Sequence, residues 1–469
     1  MKTLIKGSRL LWKKNHLILL LAFSLAALGQ GIGLEGDLAI LDGTLVQTAT
    51  DFRLLEEEGQ VLPGDEIPLE SPYYGSNFIK DPKTKKAYEA VLKDRAGAYS
   101  KDFFADLSHQ LDRLVADPDL GLTGLKLDKA DWKEAWTNLS QWVPTYMEGD
   151  ADSLWSQAQY AFADYYETMG RSFIYNPSED LYQDLDGASL VLGVSPFLLL
   201  LGGLMALVLT SGERLTSYYE FSQGLPWSKE AGYGHRIVFG AFLLLVFWAL
   251  TTGLRLLVLL KSPFAEVVSF YRLPETLLSQ GALLFGFYFF CLGLGMAAGN
   301  ILGHLGLLVI GFMGLDLFYY NLSLMNLISQ SLFNGRTFLS PLVEAYVDYQ
   351  AGQSILVYIL SPYQIIDKTE MTGSLIMGGL GLAALLLGRL FLAWRKEERS
   401  GQAIMVGGLN GYAKFLAIWT TGGMITSLIY WSSMNISSLA GSTLLIVYGL
   451  ACLVSAVFYH KFFNLRWGL

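Results

Sequence analysis

Residues 211–236, SGERLTSYYEFSQGLPWSKEAGYGHR, are the stretch that decides the fold, because this polar sequence lies between two long apolar runs. Residues 214–224 can form an amphipathic helix, since leucine and aromatic side chains cluster towards one side of it. Pro226 ends that helix, because proline lacks an N–H donor and disfavours helix at the preceding residue. Ser228 can cap the next helix. The stretch therefore predicts a short surface helix, a proline break and a second helix that enters a bilayer.

The composition is typical of a membrane protein. Of the 469 residues, 52% are hydrophobic and only 16% are charged, whereas soluble domains have about 25% charged residues. Eight apolar runs each approach the roughly 20 residues needed to cross a ~30 Å hydrocarbon core. The runs cover residues 17–34, 188–209, 237–260, 281–299, 305–320, 375–394, 415–431 and 443–459. We therefore predict an all-α polytopic membrane protein with about eight transmembrane helices.

Charge divides the chain into two parts. Residues 35–187 contain 30 acidic and 13 basic residues, a net charge of −17, whereas the rest of the chain has a net charge of +8. We therefore predict one acidic, mainly helical domain inserted between the first two spans. The sequence up to residue 76 shows no clear period, and helices are predicted from residue 81 onwards, including 129–148 and 152–173. Their aromatic stripes indicate core packing, with a ligand-binding platform as the alternative.

The distribution of lysine and arginine predicts the orientation. With both termini in the cytoplasm, the inner segments contain 14 basic residues and the short outer segments contain 4. This arrangement places residues 35–187 outside the cell and residues 211–236 inside, in a multi-pass protein of the plasma membrane. Residues 1–16 are basic and amphipathic, as in a helix on the inner leaflet. Residues 17–34 are then an uncleaved anchor, and a cleavable signal peptide is the alternative.

The polar stretch resembles a segment of the permeases of the type-2 exporter class of ABC transporters, in a Gram-positive-like form with a large extracellular domain. The pattern is carried by Glu213, Glu220, Phe221, Leu225, Pro226 and Ser228. In that family, a Glu, a short interfacial helix and a Leu-Pro-x-Ser step lead from one span into the next. There the segment is the coupling helix that docks on the ATPase subunit. An ordinary cytoplasmic loop with a turn is the alternative interpretation.

The resemblance implies two further features. Residues 322–374 would form short re-entrant helices on the outer side, which is possible only where protein or water covers the backbone. Residues 395–414 begin with a basic cluster, in which Glu398 is a candidate second contact for the ATPase; a basic membrane anchor is the alternative. The expected domains are an anchor (1–34), the extracellular domain (35–187), a transmembrane core (188–394) and a C-terminal part with two spans (395–469).

Charged and small residues inside the spans are the remaining candidates. Asp316 in span five and Arg255 in span three are costly in a bilayer, so they are candidates for function. Arg255 can pair with Asp316 or extend to the interface. Gly295, Gly299 and Gly303 form a small-residue stripe, attributed to span four, that lets helices approach closely. The stripe predicts packing within one subunit or contact between two permease copies.

No GxxxxGK[ST] loop occurs in the sequence, so the chain lacks this means of holding ATP phosphates. The resemblance implies a permease without a cofactor of its own, which works as a homodimer or heterodimer on separate ABC ATPase subunits that bind ATP and Mg. The cargo would be a peptide, a lipid or an antibiotic-like amphipathic compound. Membrane lipid is the other expected partner, and nucleic acid is not.

Two other classes of function remain as alternatives. The adjacent glutamates Glu397 and Glu398 superficially resemble those of certain intramembrane proteases, although basic residues surround them and neither GxSxG nor HExxH occurs. A membrane-embedded protease or transferase is therefore one alternative. The other is a passive antimicrobial-sensing or immunity protein, in which the outer domain binds the compound. We predict no catalytic residue and no metal site.

Overall fold

The computed structural model describes residues 17, 20–21, 23–39, 41–43, 45–46, 49–50, 53, 82–103, 106–107, 175–176, 181–182, 185–215, 228–333, 337, 339–351, 355–367, 371–395, 402–433 and 441–465. The predictions for residues 1–16, 129–148 and 152–173 lie outside these ranges, as do Glu220, Phe221, Leu225, Pro226 and Glu398. Most of the described residues are helical, as predicted.

The chain divides into two compact units. The first unit comprises Met1–Ala26, Val194–Leu250 and Glu275–Leu469, and the second comprises Ala27–Gly193 and Thr251–Pro274. The second unit overlaps the predicted inserted domain and also contains residues 27–34, 188–193 and 251–274, which the sequence did not assign to that domain.

The elements follow one another in chain order. They are α1 (Pro82–Asp94), β1 (Tyr175–Asn176), β2 (Leu181–Tyr182), β3 (Leu185–Asp186), α2 (Gly187–Leu192), α3 (Pro196–Leu207), α4 (Lys229–Lys261), β4 (Val268–Ser269), α5 (Leu273–Gly295), α6 (Ile301–Phe333), α7 (Ser340–Ala351), α8 (Ile355–Leu360), α9 (Tyr363–Asp367), α10 (Met371–Trp394), α11 (Gly407–Ser433) and α12 (Gly441–Asn464). Strands β1 and β2 pair antiparallel, and β3 and β4 pair parallel.

Six helical segments within the described ranges are long and apolar enough to cross a membrane. They are Gly187–Gly212, α4, α5, α6, α10 and α12, and each coincides with one of the eight predicted spans. The predicted span 415–431 lies in α11, which is long but is not among these six. Its apolar run is interrupted by the sequence Thr-Thr-Gly-Gly at residues 420–423. The run 17–34 is helical where it is described.

Glycines allow α5 and α10 to approach closely in the first unit. A Cβ atom at Gly286 would collide with the backbone of Met377, and one at Gly293 would collide with the carbonyl oxygen of Ala384. Gly381 faces the backbone of Gly286 in the same way. Small residues at such crossings let backbones touch where lipid supplies no hydrophobic driving force. This crossing therefore aligns two of the apolar helices.

The helices between residues 301 and 371 differ from the prediction. The fifth span was predicted to end at residue 320, but α6 continues to Phe333. Residues 321–333 contain no proline or glycine, so neither of the two strongest helix-breaking residues ends the helix there. Short helices do follow, as expected between spans five and six: α7 begins with Pro341 in its first turn, and Pro362 precedes α9. The predicted outer segment of short helices is therefore confined to residues 340–367.

The second unit has a core of its own. The described residues between 23 and 53 are helical, so the prediction of no regular period up to residue 76 was wrong for this part. The missed signal is a row of apolar side chains at helical spacing. The core consists of these residues and of others from α1, α2, the end of α4 and the segments that follow α1 and α4: Leu34, Leu38, Leu45, Val46, Ala49, Tyr88, Val91, Tyr99, Leu107, Val191, Leu259, Phe264 and Val267. The predicted helix from residue 81 breaks after Asp94, where Ala96 and Gly97 adopt φ values of 52° and 85°.

Candidate functional site

A polar cluster lies where the second predicted span leads into the polar stretch. After α3 the helix widens into a π-helical turn, Val208–Gly212. The hydroxyl of Thr210 donates to the carbonyl oxygen of Ala206 at 2.7 Å. Such hydroxyl bonds to the preceding turn bend helices, and π-helical turns are frequent at functional sites. The turn directs two buried hydroxyl groups, of Thr210 and Ser211, towards the start of α6.

His304 joins three helical segments at this cluster. Its side chain is fully buried, and its Nε2 lies 2.9 Å from the carbonyl oxygen of Cys291. Because a carbonyl oxygen only accepts, Nε2 carries a proton, which leaves Nδ1 of a neutral ring as an acceptor. Ser211 Oγ lies 3.0 Å from Nδ1 and Thr210 Oγ1 lies 3.3 Å from it. We therefore assign Ser211 as the donor to the ring.

The two ends of the polar stretch are held together by an ion pair. Glu213, in the short 3-10 turn after the π-helical turn, is 1% exposed and accepts from Arg236 Nη2 at 2.5 Å. Arg236 lies in the second turn of α4, and its carbonyl oxygen accepts from the Tyr288 hydroxyl at 2.8 Å. The ion pair therefore holds together the two ends of the intervening part of the chain, residues 216–227. Glu213 itself is buried against this partner.

Arg214 connects the same base to two other segments. Its Nη2 donates to the carbonyl oxygen of Met296 at 3.3 Å, and its Nη1 lies 3.2 Å from the sulfur of Met405. These segments also bind each other, because Gly299 N donates to Ala403 O at 3.0 Å and Met405 N donates to Ala297 O at 2.9 Å. The polar stretch, the connection between α5 and α6, and the segment before α11 thus form one hydrogen-bonded assembly.

The end of the polar stretch confirms one prediction. Ser228 caps α4, because its side-chain oxygen accepts from the backbone N–H of Ala231 at 3.1 Å. The remaining predicted coupling residues, Glu220, Phe221, Leu225 and Pro226, lie outside the described residues, and so does Glu398. On the next turns of α4, Tyr233 donates to the carbonyl oxygen of Leu385 at 3.0 Å. Helix α4 is thereby attached to α10.

The glycine stripe was attributed to span four, and that placement was wrong. Helix α5 ends at Gly295, Gly299 lies in the connection, and Gly303 lies in the first turn of α6. The helix breaks there because residues 296–300 turn and pair with residues 402–406. A Cβ atom at Gly299 or Gly303 would collide with the backbone of that segment, and one at Gly295 would collide with Thr210 and His304. The chain itself therefore fills the space beside all three glycines.

Asp316 and Arg255 have separate partners. The Tyr346 hydroxyl donates to Asp316, and the ring of Tyr346 stacks on that of Tyr319 with centroids 3.9 Å apart. Both contacts join α6 to α7. Arg255, in the second unit, donates to the carbonyl oxygen of Gly193 at 2.5 Å. Each group thus has a partner of its own, and Arg389, in α10, pairs with Glu230 at 3.3 Å.

The hydrogen-bonded Ser211–His304 pair is closed to solvent. A serine bonded to a histidine is the arrangement of a nucleophile and its base. Here, however, Ser211 and His304 are both fully buried, and the second ring nitrogen faces a carbonyl oxygen and not a carboxylate. Across the described residues, no group of three or more His, Cys, Asp or Glu side chains has the geometry to hold a metal ion.

Sequence reasoning missed His304, Arg214 and Arg236 as members of one site. The available signal was the position of polar residues at the ends of apolar runs, since Thr210 and Ser211 follow span two and His304 precedes span five. Their convergence depends on the pairing of residues 296–300 with residues 402–406, which no sequence pattern indicated. Comparison of the chain with protein-family models, curated proteins and solved structures finds no significant match.

Proposed function

We propose that this chain is the permease subunit of an ATP-driven transporter of the type-2 ABC exporter class. Residues 211–236 would be its coupling segment, and a separate ATPase subunit would supply ATP and Mg. The observation that carries the proposal is the construction at the base of this segment, where the Glu213–Arg236 ion pair closes the loop and Arg214 anchors it. Six apolar helices supply the membrane domain that such a role requires.

The contacts of Glu213, Arg214 and Arg236 support one route by which movement of the coupling segment would reach the transmembrane helices. A displacement of residues 216–227 by the ATPase would reach the Glu213–Arg236 ion pair first, because this pair joins the two ends of that segment. Arg214 would pass it to the connection between α5 and α6 and to Met405, before α11. Buried polar networks with several satisfied partners are stiff, so this assembly would move as a unit. Helices α5, α6 and α11 would then shift together as the central cavity alternates between the two sides.

The proposed complex contains two permease copies on two ATPase subunits. The same chain fills the space beside Gly295, Gly299 and Gly303, so the contact between permease copies would use other surfaces. The cargo would be a peptide, a lipid or an antibiotic-like amphipathic compound, exported or cleared from the membrane. The second unit would receive or screen it on the outer side.

Copurification from native membranes tests the proposal. The tagged chain is expected to retain a nucleotide-binding protein that hydrolyses ATP. Glu220→Lys should reduce this retention by tenfold or more, because it reverses a charge on the proposed docking segment. Glu266→Lys, an exposed residue between α4 and β4, is the matched control and should retain the ATPase. The proposal would be wrong if no nucleotide-binding protein were retained, or if both variants kept it equally.

A further inference from the structure

A cavity of about 770 Å³ lies within the second unit. Its walls come from three segments: the described residues between 35 and 42, the turn at residues 95–98 after α1, and residues 258–263 at the end of α4. Pro263 joins two of these walls, because its carbonyl oxygen accepts from Tyr99 N at 2.8 Å. The volume lies within the range of about 300–1,000 Å³ that is usual for small-molecule sites.

The inner wall is a buried polar group. Asp42 accepts from Arg95 Nη1 and, at 2.5 Å, from the Tyr99 hydroxyl. The side chains of Arg95 and Asp42 are 11% and 7% exposed. Burial alone would lower the pKa of Arg95, but the hydrogen bonds to Asp42 and Tyr99 outweigh burial and raise it. Among the described residues, Arg95 Nε is buried without a hydrogen-bond partner. The guanidinium is therefore charged and forms a cationic part of the cavity wall.

The rim of the cavity carries one charge of each sign. Glu35 and Lys261 both line it, and both are exposed. With Asp42 and Arg95 behind them, the lining contains two acidic and two basic side chains. A ligand with a single charge would meet a like charge on the rim, which costs binding energy. The lining therefore favours a ligand that carries an anion and a cation together.

The position of the cavity relative to the spans indicates how such a ligand would arrive. Lys261 is the last residue of the candidate span α4, so it lies at the end of an apolar helix. Leu38 and Val258 add apolar surface to the same cavity. A site with charges on its rim and aliphatic side chains beside the end of a span suits a molecule with a polar head and apolar chains.

We propose that this cavity binds the headgroup of a membrane phospholipid that carries a phosphate ester and a primary ammonium group. The phosphate would accept from Lys261 and from the remaining donors of Arg95, because these are the cationic groups of the lining. The ammonium would donate to Glu35, which is the exposed carboxylate. A primary ammonium is required, since a quaternary one has no N–H to donate. The site is independent of the proposed transport function.

Native mass spectrometry of the purified full chain, titrated with dioleoyl phosphatidylethanolamine, measures this binding directly. Lys261→Gln and Glu35→Gln should each raise the apparent Kd by on the order of tenfold, since each removes one charge-assisted contact. Both residues are exposed, so these variants should fold. Lys86→Gln and Glu89→Gln are the matched controls, because both residues are exposed on α1 and do not line the cavity. They should bind as the natural chain does.

Three comparison ligands complete the experiment. Dioleoyl phosphatidylcholine lacks the N–H donors and dioleoyl phosphatidylglycerol lacks the cation, so both should bind on the order of tenfold more weakly. Soluble glycerophosphoethanolamine has the same head without acyl chains and should also bind more weakly. Equal binding of all three lipids, or unchanged binding by the cavity variants, would overturn the proposal. Equal binding of the soluble compound would overturn the assignment to a lipid. The measurement uses no ATPase, so its failure is separable from that of the proposed transport function.

Discussion

The Glu213–Arg236 ion pair of the first unit and the Arg95–Asp42 ion pair of the second are both buried, but they join different kinds of segment. Glu213 and Arg236 flank one loop, and their side chains are 1% and 18% exposed. Arg95 lies in the turn after α1 and Asp42 lies in an earlier helical segment; their side chains are 11% and 7% exposed, and a cavity lies beside them. The first pair closes a loop, whereas the second forms the wall of a site.

This difference shows why similar chemistry can serve two purposes. A buried ion pair is costly to form, because both charges lose water, and its loss leaves one charge unpaired. At Glu213 that penalty fixes the geometry of residues 211–236, which we propose to transmit the movement of the ATPase. At Asp42 it holds a charged guanidinium in place at the wall of the cavity. The exposed pair Arg389–Glu230, with both side chains 66% exposed, is a natural reference for either.

The largest effect is expected at the loop base. Glu213→Gln should lower the free energy of unfolding by about 3–5 kcal/mol, because it leaves the Arg236 charge buried without its counter-ion. Glu230→Gln breaks the exposed pair and should change it by less than about 1 kcal/mol. Thermal and chemical unfolding in detergent compares the two. The double variant Glu213→Gln with Arg236→Met should recover much of the loss; no recovery would contradict the role given to the pair.

The second effect concerns the connection beside the loop base. Gly303→Ala should cost about 1–3 kcal/mol, because the new methyl group would collide with the carbonyl oxygen of Ala403. Gly306→Ala, one turn further along α6, is the control, since no atom lies within 4 Å of its Cβ position. Alanine favours helix over glycine by about 1 kcal/mol, so this variant should be neutral or slightly more stable. Equal losses in both variants would mean that residues 402–406 do not pack there.

The third effect tests the wall of the cavity. Burial, together with Asp42, raises the pKa of Tyr99 above its ordinary value of 10.0. The folded state then keeps this proton while the unfolded state loses it, so the stabilisation is present below pH 10 and is lost as the pH rises further. Tyr99→Phe should lower stability by about 1.5 kcal/mol at pH 7. The difference between the two proteins should narrow above pH 10, and a constant difference would contradict the assignment.

The smallest effect on stability is expected at Asp316, which has a neutral partner. Asp316→Asn keeps an acceptor for the Tyr346 hydroxyl, so expression and unfolding should change little, by less than about 1 kcal/mol. We expect ATP hydrolysis by the copurified complex to fall more than expression, because an acid within a membrane span is costly unless it functions. Unchanged hydrolysis would show that Asp316 only packs α6 against α7. Tyr346→Phe separates the loss of the hydrogen bond from the loss of the charge.

Much of the architecture could be predicted, because membrane spans have a strong local signal. Length and hydropathy alone located six of the apolar helices, including α4 and α10. Ser228 was predicted as a cap from its position after Pro226, and its side-chain oxygen does accept from the first turn of α4. These features depend on residues within a few positions of each other, so the sequence contains all the information that they need.

The site could not be predicted in the same way, because it depends on contacts between distant residues. Glu213 was a candidate for contact with a partner, but its burial comes from Arg236, on the far side of the loop. The glycine stripe was read as one continuous helix face, and the pairing of residues 296–300 with residues 402–406 breaks it. The apolar residues after residue 81 also keep helical spacing through Ala96 and Gly97. The positive φ angles of these two residues end the helix there.

The accessibility of residue 222 to a membrane-impermeant thiol reagent tests whether residues 211–236 face the cytoplasm and bind an ATPase subunit. Ser222→Cys is introduced together with Cys452→Ala, which leaves Cys291 as the remaining native thiol, and that thiol is fully buried. If residues 211–236 are a cytoplasmic coupling segment, we expect no labelling of residue 222 in intact cells and strong labelling in inside-out vesicles. A bound ATPase should protect residue 222 from the reagent in those vesicles. Asp102→Cys, exposed in the second unit, should give the opposite orientation. Labelling of residue 222 from outside intact cells would contradict the account.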